Sequence, residues 1–246
     1  DVAKASGLFE AVIAVDPAHP KATEALEAIY GEKKKWPELV KLLERKSDSQ
    51  RGDVRVETLA TLAELYEDRI KDLDKAAVFY QAALADSPRN ISALKGLERI
   101  YAQGGKFEEL LGNLRTQLET VATPRQRITL HEMIGGILEE QFVDHKNAVE
   151  AYEAIVAIEP GHESANGALT RLYRQLHRFD DLAKTLERHG LSSADEKRKV
   201  TLLLQAVRVL TVDVGAPDRA AAMVERVLAV DPNNSEALEL IARLKA

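Results

Sequence analysis

No cysteine occurs among the 246 residues, which excludes disulfides, thiol redox chemistry and cysteine-based zinc sites. No run approaches the roughly 18 apolar residues that a membrane span needs, so no membrane insertion is expected. An excess of basic charge is missing too. The net charge is −6, from 34 basic and 40 acidic residues, so nothing attracts a polyanion and nucleic acid is a poor partner. There is also no visible signal or transit segment. The chain starts at Asp1 without Met, and Phe9 already holds an in-register repeat position, so it reads as a segment cut from a longer protein. A targeting signal upstream is compatible with that reading, and the lack of cysteine fits a cytoplasmic location. With 45% apolar and 30% charged residues, the chain is neither disordered nor built for lipid.

What is present is a period. Pro17, Pro88, Pro160 and Pro232 close the segments Val15-Asp16-Pro17, Asp86-Ser87-Pro88, Ile158-Glu159-Pro160 and Val230-Asp231-Pro232. The first interval is 71 residues and the next two are 72. So regular a spacing marks a stacked repeat array, in which each unit buries its apolar face on its neighbours. About 72 residues fit two helical hairpins. Leu59, Leu62, Ala63 and Tyr66 fall at i, i+3, i+4 and i+7, one face of a helix. Ala76, Tyr80 and Ala83 do the same on the next helix, and Pro88 ends the unit. The domain reading is one array over 1–246, with two-unit repeats at about 1–73, 74–145 and 146–215 and a partial one at 216–246.

These residues resemble the tetratricopeptide repeat (TPR) family. Leu59-x-x-Leu62-Ala63-x-x-Tyr66 is similar to its first helix (A), and Ala76-x-x-x-Tyr80-x-x-Ala83 followed by Pro88 is similar to its second (B). The small residues let the two helices approach, the aromatics fill the space between successive hairpins, and Pro ends the helix. Helix B recurs at Ala5/Phe9/Val12, Ala148/Tyr152/Ile155 and Ala220/Val224/Val227. The small helix-A position recurs as Ala63, Gly135 and Val207, and Val207 predicts a splayed hairpin. Looser units alternate with these regular ones. There Ala22, Ala93, Ala165 and Ala237 are followed by Tyr30, Tyr101 and Tyr173, then by Trp36, Phe107 and Phe179. Leu39, Leu110 and Leu182 replace the expected Ala of helix B, while Glu27, Glu98 and Thr170 replace the small residue of helix A. Such two-unit repeats look like those of long bacterial tetratricopeptide scaffolds. The resemblance implies an all-α, right-handed α-solenoid of antiparallel hairpins, a TPR-like superhelix of about 14 helices.

Two details follow from the pattern. Trp36 to Phe107 is 71 residues but Val56 to Ile128 is 72, so the shorter first copy loses its residue in the polar turn 47–52. Pro20, Pro37, Pro124 and Pro217 suit the first turns of helices, where the missing N–H costs nothing. The first and last helices, to about Val15 and from about Ser235, lack hairpin partners and are expected to expose apolar surface, a route to self-association.

Signals for chemistry are weak. His131-Glu132-Met133-Ile134-Gly135 lacks the second His of a zinc-protease helix. Gly104-Gly105-Lys106-Phe107 lacks the remaining glycine and hydroxyl of a phosphate loop and reads as a hairpin turn. The six histidines at 19, 131, 145, 162, 177 and 189 are expected at turns or helix ends, in solvent. Asp180-Asp181 opens a helix, where carboxylates suit the dipole. No catalytic residue, metal or cofactor is expected, and a direct enzyme is the weakest reading.

In tetratricopeptide arrays the A helices line a concave face, and the resemblance implies the same face for a partner protein or extended peptide. Helical phase opposite the buried stripe places Lys21 and Glu24, Lys95 and Arg99, then Arg171 and Arg174 there in the looser units. In the regular units it places Glu57 and Glu64, Glu132 and Glu139, then Leu204 and Arg208. The alternative is that these charges satisfy one another, Lys95 and Arg99 pairing with Glu64 and Glu132 on adjacent A helices, pairs worth about 0–1 kcal/mol. The Lys/Asn/Arg clamp of tetratricopeptide domains that hold chaperone carboxylates is not matched, because Glu24/Ala28 and Ala60/Glu64 stand at its positions ahead of Lys95/Arg99. A structural spacer, and a regulatory arm of an enzyme lying outside this segment, are the alternatives to the scaffold reading.

Overall fold

The computed structural model describes residues 2–16 and 19–244, and every regular element among them is helical. Fourteen α-helices follow one another: α1 (Val2–Val15), α2 (Pro20–Glu32), α3 (Trp36–Ser49), α4 (Gly52–Leu65), α5 (Leu73–Asp86), α6 (Ile91–Gln103), α7 (Phe107–Thr120), α8 (Pro124–Glu140), α9 (His145–Ile158), α10 (Glu163–Gln175), α11 (Phe179–Ser192), α12 (Glu196–Val209), α13 (Pro217–Val230) and α14 (Ser235–Leu244). The chain forms two compact units, one through Thr120 and one from Val121. Within the first, each of α1 to α7 packs on the helix before and after it, and within the second α8 to α14 do the same. Connections this short make neighbouring helices antiparallel.

The helix boundaries follow local chemistry. Pro20, Pro124 and Pro217 are first helical residues and Pro37 is a second one, positions whose N–H would be unpaired anyway. Pro88, Pro160 and Pro232 each follow the residue that caps a B helix, while Pro17 lies outside the described residues. The one-residue difference between copies sits where the spacing puts it. The α3–α4 connection is residues 50–51, and its counterpart between α11 and α12 is residues 193–195.

Capping of the looser A helices alternates along the repeat. His19 and His162 accept through Nδ1 from the amides of Ala22 and Ala165, at 3.3 and 3.4 Å. Asn90 and Asn234 accept from Ala93 and Ala237 at 2.9 and 3.0 Å. Two of the histidines expected in solvent therefore cap helices. A third, His189, is a buried residue of α11 with Nε2 3.4 Å from Glu163, and His131 is half-buried, its imidazole pKa lowered by that burial and by nearby Arg127. His189 occupies the repeat position of Lys46 and Gln117. Those two reach across their hairpins to Glu27 and Glu98, each at 2.6 Å. A polar bridge across the hairpin thus replaces the close apolar contact that the missing small residue would allow.

Each regular A helix ends in the same wide turn. The amides of Asp72, Asp144 and Ala216 donate back to the carbonyls of Tyr66, Leu138 and Leu210 at 2.9, 2.8 and 2.9 Å. After α4 and α12 this widening is a full π turn, Tyr66–Ile70 and Leu210–Val214. The residue before the donor takes a left-handed conformation: Lys71 at φ 65°, Val143 at φ 53° and Gly215 at φ 70°. A β-branched residue is strained there, and Val143 is 66% exposed with little packing to lose. Val143→Gly is expected to raise stability by about 1 kcal/mol, the left-handed penalty net of glycine's greater freedom when unfolded. A urea midpoint at or below the parent's contradicts this.

The core is a ladder of small residues and rings. Ala63, Ala76, Tyr80 and Ala83 are fully buried in the first unit, as are Ala148, Ile155 and Leu169 in the second. Val207 is fully buried, facing a helix on which Val224 replaces the tyrosine, and α12 packs on α13 less extensively than α4 on α5 or α8 on α9. The branched pair thus carries the loosening expected at this hairpin. Exposed Leu8, Val12 and Val15 mark the outer side of α1, and Leu238 that of α14.

Candidate partner-binding surface

One side-chain network recurs on the A helices at the 72-residue interval. In the first unit the Tyr80 hydroxyl donates to Glu67 Oε2 at 2.9 Å, and Arg99 Nε and Nη2 donate to the two oxygens of the same carboxylate at 2.8 Å each. In the second unit Tyr152 donates to Glu139 at 3.4 Å, and Arg171 grips Glu139 through both terminal nitrogens, Nη2 at 3.2 Å. The carboxylate side chains are 14% and 13% exposed, the arginines 56% and 52%. The tyrosine therefore roots the carboxylate in the core, and the carboxylate holds a guanidinium at the surface. Such two-point pairing restrains the planar guanidinium more than a single bond does. Hydrogen bonds from Arg99 hold the Glu67 carboxyl below the usual range against the opposing effect of its burial, with Tyr80 adding a further bond. The third copy has Val224, Thr211 and Arg243 at these positions, and Arg243 pairs within its own helix with Glu239 at 3.7 Å.

The residues singled out from helical phase separate into three groups. Arg99 and Arg171 are exposed and ion-paired across A helices, but the partner of Arg99 is Glu67, not Glu64. Lys95 pairs along its own helix with Glu98 at 2.8 Å, and Glu132 lies 3.7 Å from His162 Nε2. Arg174, Glu57 and Glu64 are exposed and carry no ion pair among the described residues. Lys21 and Glu24 are exposed on α2, and Arg208 of α12 pairs with Glu236 of α14 at 2.7 Å. Leu204 is 8% exposed and belongs to the core, a correction to its surface assignment. It falls beside Leu203 on a helix buried on a broad face, where a single stripe underestimates burial.

Glu67 escaped the sequence reading although its signal was present. Glu67 and Glu139, Tyr80 and Tyr152, and Arg99 and Arg171 are each 72 residues apart. Helical phase on a straight α-helix puts Glu64 in the surface row, but the π turn that begins at Tyr66 shifts the following residue onto it.

Other tyrosines tie adjacent helices together. Tyr30 donates to Glu10 at 2.7 Å, Gln81 Nε2 donates to the Tyr101 hydroxyl at 2.8 Å, and Tyr173 donates to Glu153. Burial and the hydrogen bond to Glu10 push the Tyr30 phenol up to about 12, and burial and Glu44 do the same for Tyr66, also to about 12. Tyr80 and Tyr173 are raised by burial first and by Glu67 and Glu153 second. A raised phenol favours the folded state fully below the unfolded value of about 10, and that contribution is lost as pH rises through the folded value. The melting temperature is therefore expected to fall from pH of about 10 to about 12, and a Tyr30→Phe/Tyr66→Phe variant to fall less steeply. Parallel curves contradict the assignment.

Among the described residues no group of three or more His, Asp or Glu side chains is placed to hold a metal ion. No helix among them is long and apolar enough to cross a membrane.

The paired helices, the two-hairpin period and the Ala/Tyr core define a TPR-like helical-repeat fold. No family model matches the sequence, and no curated protein does. Among solved structures, a chain in the complex of Naa15/Naa10 bound to HypK-THB is similar at a TM-score of 0.55 with 14% identity, covering 97% of this chain and 36% of that one. A tetratricopeptide repeat protein of Parabacteroides merdae matches at a TM-score of 0.42 with 17% identity over 100% of this chain and 93% of that one. The C-terminal part of a TPR repeat-containing protein of Cytophaga hutchinsonii matches at 0.44 with 15% identity, over 98% and 94%.

Proposed function

We propose that the protein is an interaction scaffold, without chemistry of its own, that holds a partner protein or extended peptide on the exposed face of its A helices. The observation that carries this is the tyrosine-rooted arginine pair, Arg99 and Arg171, each fixed at the surface by a carboxylate bound to the core. Pre-positioned cations lose little freedom on binding, so they orient a partner at low entropic cost. Lys95, Arg174, Glu57, Glu64, Glu132 and Glu139 complete a mixed-charge surface on which an acidic or zwitterionic segment could be aligned. In this reading Glu139 acts through Arg171, while Arg174, Glu57 and Glu64 are free to meet the partner.

The test is affinity capture from native lysate with the parent and with a Lys95→Glu/Arg174→Glu variant as baits. Both residues are exposed and neither contributes to a tyrosine network, so the fold is expected to persist. A protein held by the parent and lost by the variant supports the A-helix face. The same catch with both baits overturns it. The second reading is self-association or a spacer role, favoured by exposed Leu8, Val12 and Val15 on α1. Sedimentation of the parent beside Leu8→Glu distinguishes it, since self-association through that face predicts an oligomer that the variant dissolves.

A further inference from the structure

The first unit contains a groove that the second unit fills with its own side chain. It lies between α5, α6 and α7, encloses about 440 Å³ and is walled by Leu94, Leu97 and the ring of Tyr101. Gln81, Glu109, Gly112 and Thr116 stand around it. Its volume falls within the roughly 300–1,000 Å³ of small-ligand sites. It faces away from Arg99, because at about 100° per residue Leu94, Leu97 and Tyr101 project from the other side of α6. It is therefore distinct from the A-helix surface.

Seventy-two residues on, Leu94, Tyr101 and Gln81 correspond to Asn166, Tyr173 and Glu153, and Thr116 corresponds to Arg188. Arg188 is half-buried, and its Nη2 donates to Asn166 Oδ1 at 3.3 Å. Its guanidinium is within electrostatic reach of Tyr173 and Glu153. A guanidinium thus lies against three of the positions that surround the groove in the first unit. There the corresponding helix carries Thr116, with Gly112 one turn before it, and the space stays open. The rim differs in the same sense. Asp181 is occupied by Arg178 at 2.8 Å and Lys184 at 3.6 Å, whereas its counterpart Glu109 is exposed and has no ion pair among the described residues.

We propose that the groove between α5, α6 and α7 is a docking site for an arginine side chain presented by a protein partner. The alkyl stem lies along Leu94, Leu97 and the Tyr101 ring, as arginine stems do on apolar surface. The guanidinium meets the unpaired Glu109 carboxylate at the rim and donates to the Gln81 amide oxygen. Lysine is a weaker match, because its ammonium is more strongly hydrated and lacks the planar fork that lies flat against an aromatic wall.

The experiment titrates the full chain with N-acetyl-arginine methylamide, and in parallel with the lysine and norleucine analogues, following backbone amides by NMR. The expected result is saturable shifts at Gly112, Asn113 and Thr116 with the arginine probe, at a Kd on the order of 1 mM, which ligand-efficiency bounds allow for so small a molecule. Both analogues should bind several-fold more weakly. Glu109→Gln, an exposed substitution, should weaken the arginine probe alone. Thr116→Arg, which copies the second unit, should abolish binding while the chain melts no lower than the parent. Equal binding of the norleucine analogue would make this a pocket for an apolar side chain and overturn the proposal. So would the absence of saturable shifts with the arginine probe, or undiminished binding to Thr116→Arg.

Discussion

Replacing Tyr80 by Ala is expected to cost about 3–5 kcal/mol, the range for truncating a buried aromatic. Tyr80 is fully buried, so its removal leaves a cavity that flanking helices must collapse around or leave empty. The change also takes the hydroxyl from Glu67, leaving a carboxylate that is only 14% exposed with one partner fewer. Urea unfolding followed by circular dichroism measures the loss. Hydrogen exchange adds the location, because in a repeat array stability is a sum of local terms and protection should fall first in α4, α5 and α6. A variant with the parent's midpoint would remove Tyr80 from the core and with it the helix phase argued above. Tyr80→Phe separates the two contributions, since it keeps the ring and loses only the hydrogen bond, typically about 1 kcal/mol.

Gly96→Ala is expected to be nearly as damaging for so small a change, by about 1–3 kcal/mol of overpacking. A Cβ at Gly96 would overlap the Tyr80 ring, which has no solvent side to move into. Gly135 stands in milder contact, its Cβ meeting Tyr152 Cζ at 2.9 Å, so Gly135→Ala is expected to cost less than Gly96→Ala. Denaturation midpoints of the two variants give the order, and a reversed order contradicts the packing. The two glycines are not equivalent positions. Gly96 corresponds to Ala168, and Gly135 corresponds to Ala63. Each tyrosine thus has one Gly and one Ala among its small neighbours in the repeat, in opposite places. The third copy has Val207, Val224 and Leu240, trading ring volume for branched chains. Volume is kept roughly constant while its distribution changes, the kind of exchange that cores tolerate best.

How far the sequence could be read depended on whether a feature repeats. Pro88, Pro160 and Pro232 marked the helix ends, Ala76/Tyr80/Ala83 marked a buried face, and the short turn at 50–51 was found from spacing alone. Each is local, set by periods of 3.6 and about 72 that any window of the chain displays. The candidate surface was half legible. Arg99, Arg171 and Glu139 were picked by helical phase, but Glu67 was not, because the π turn after Leu65 changes the phase by one residue. Leu204 was misplaced because a helix packed on two sides buries more than one stripe. His189 was assigned to solvent because histidine alone carries no sign of burial. Its place in the Lys46 and Gln117 row was the missed clue.

The sequence by itself determined the repeat unit, the helix order, the residues of the core and the lack of cysteine chemistry. Those properties need only covalent order and the helical period. Which carboxylate holds Arg99, which glycine sits under which ring, and why a groove opens beside Thr116 but is closed at Arg188 were decided by the tertiary structure. Each depends on distances between helices tens of residues apart in the chain. Those distances follow from the summed volumes of side chains packed at near-crystalline density, a property that no single stretch of sequence carries.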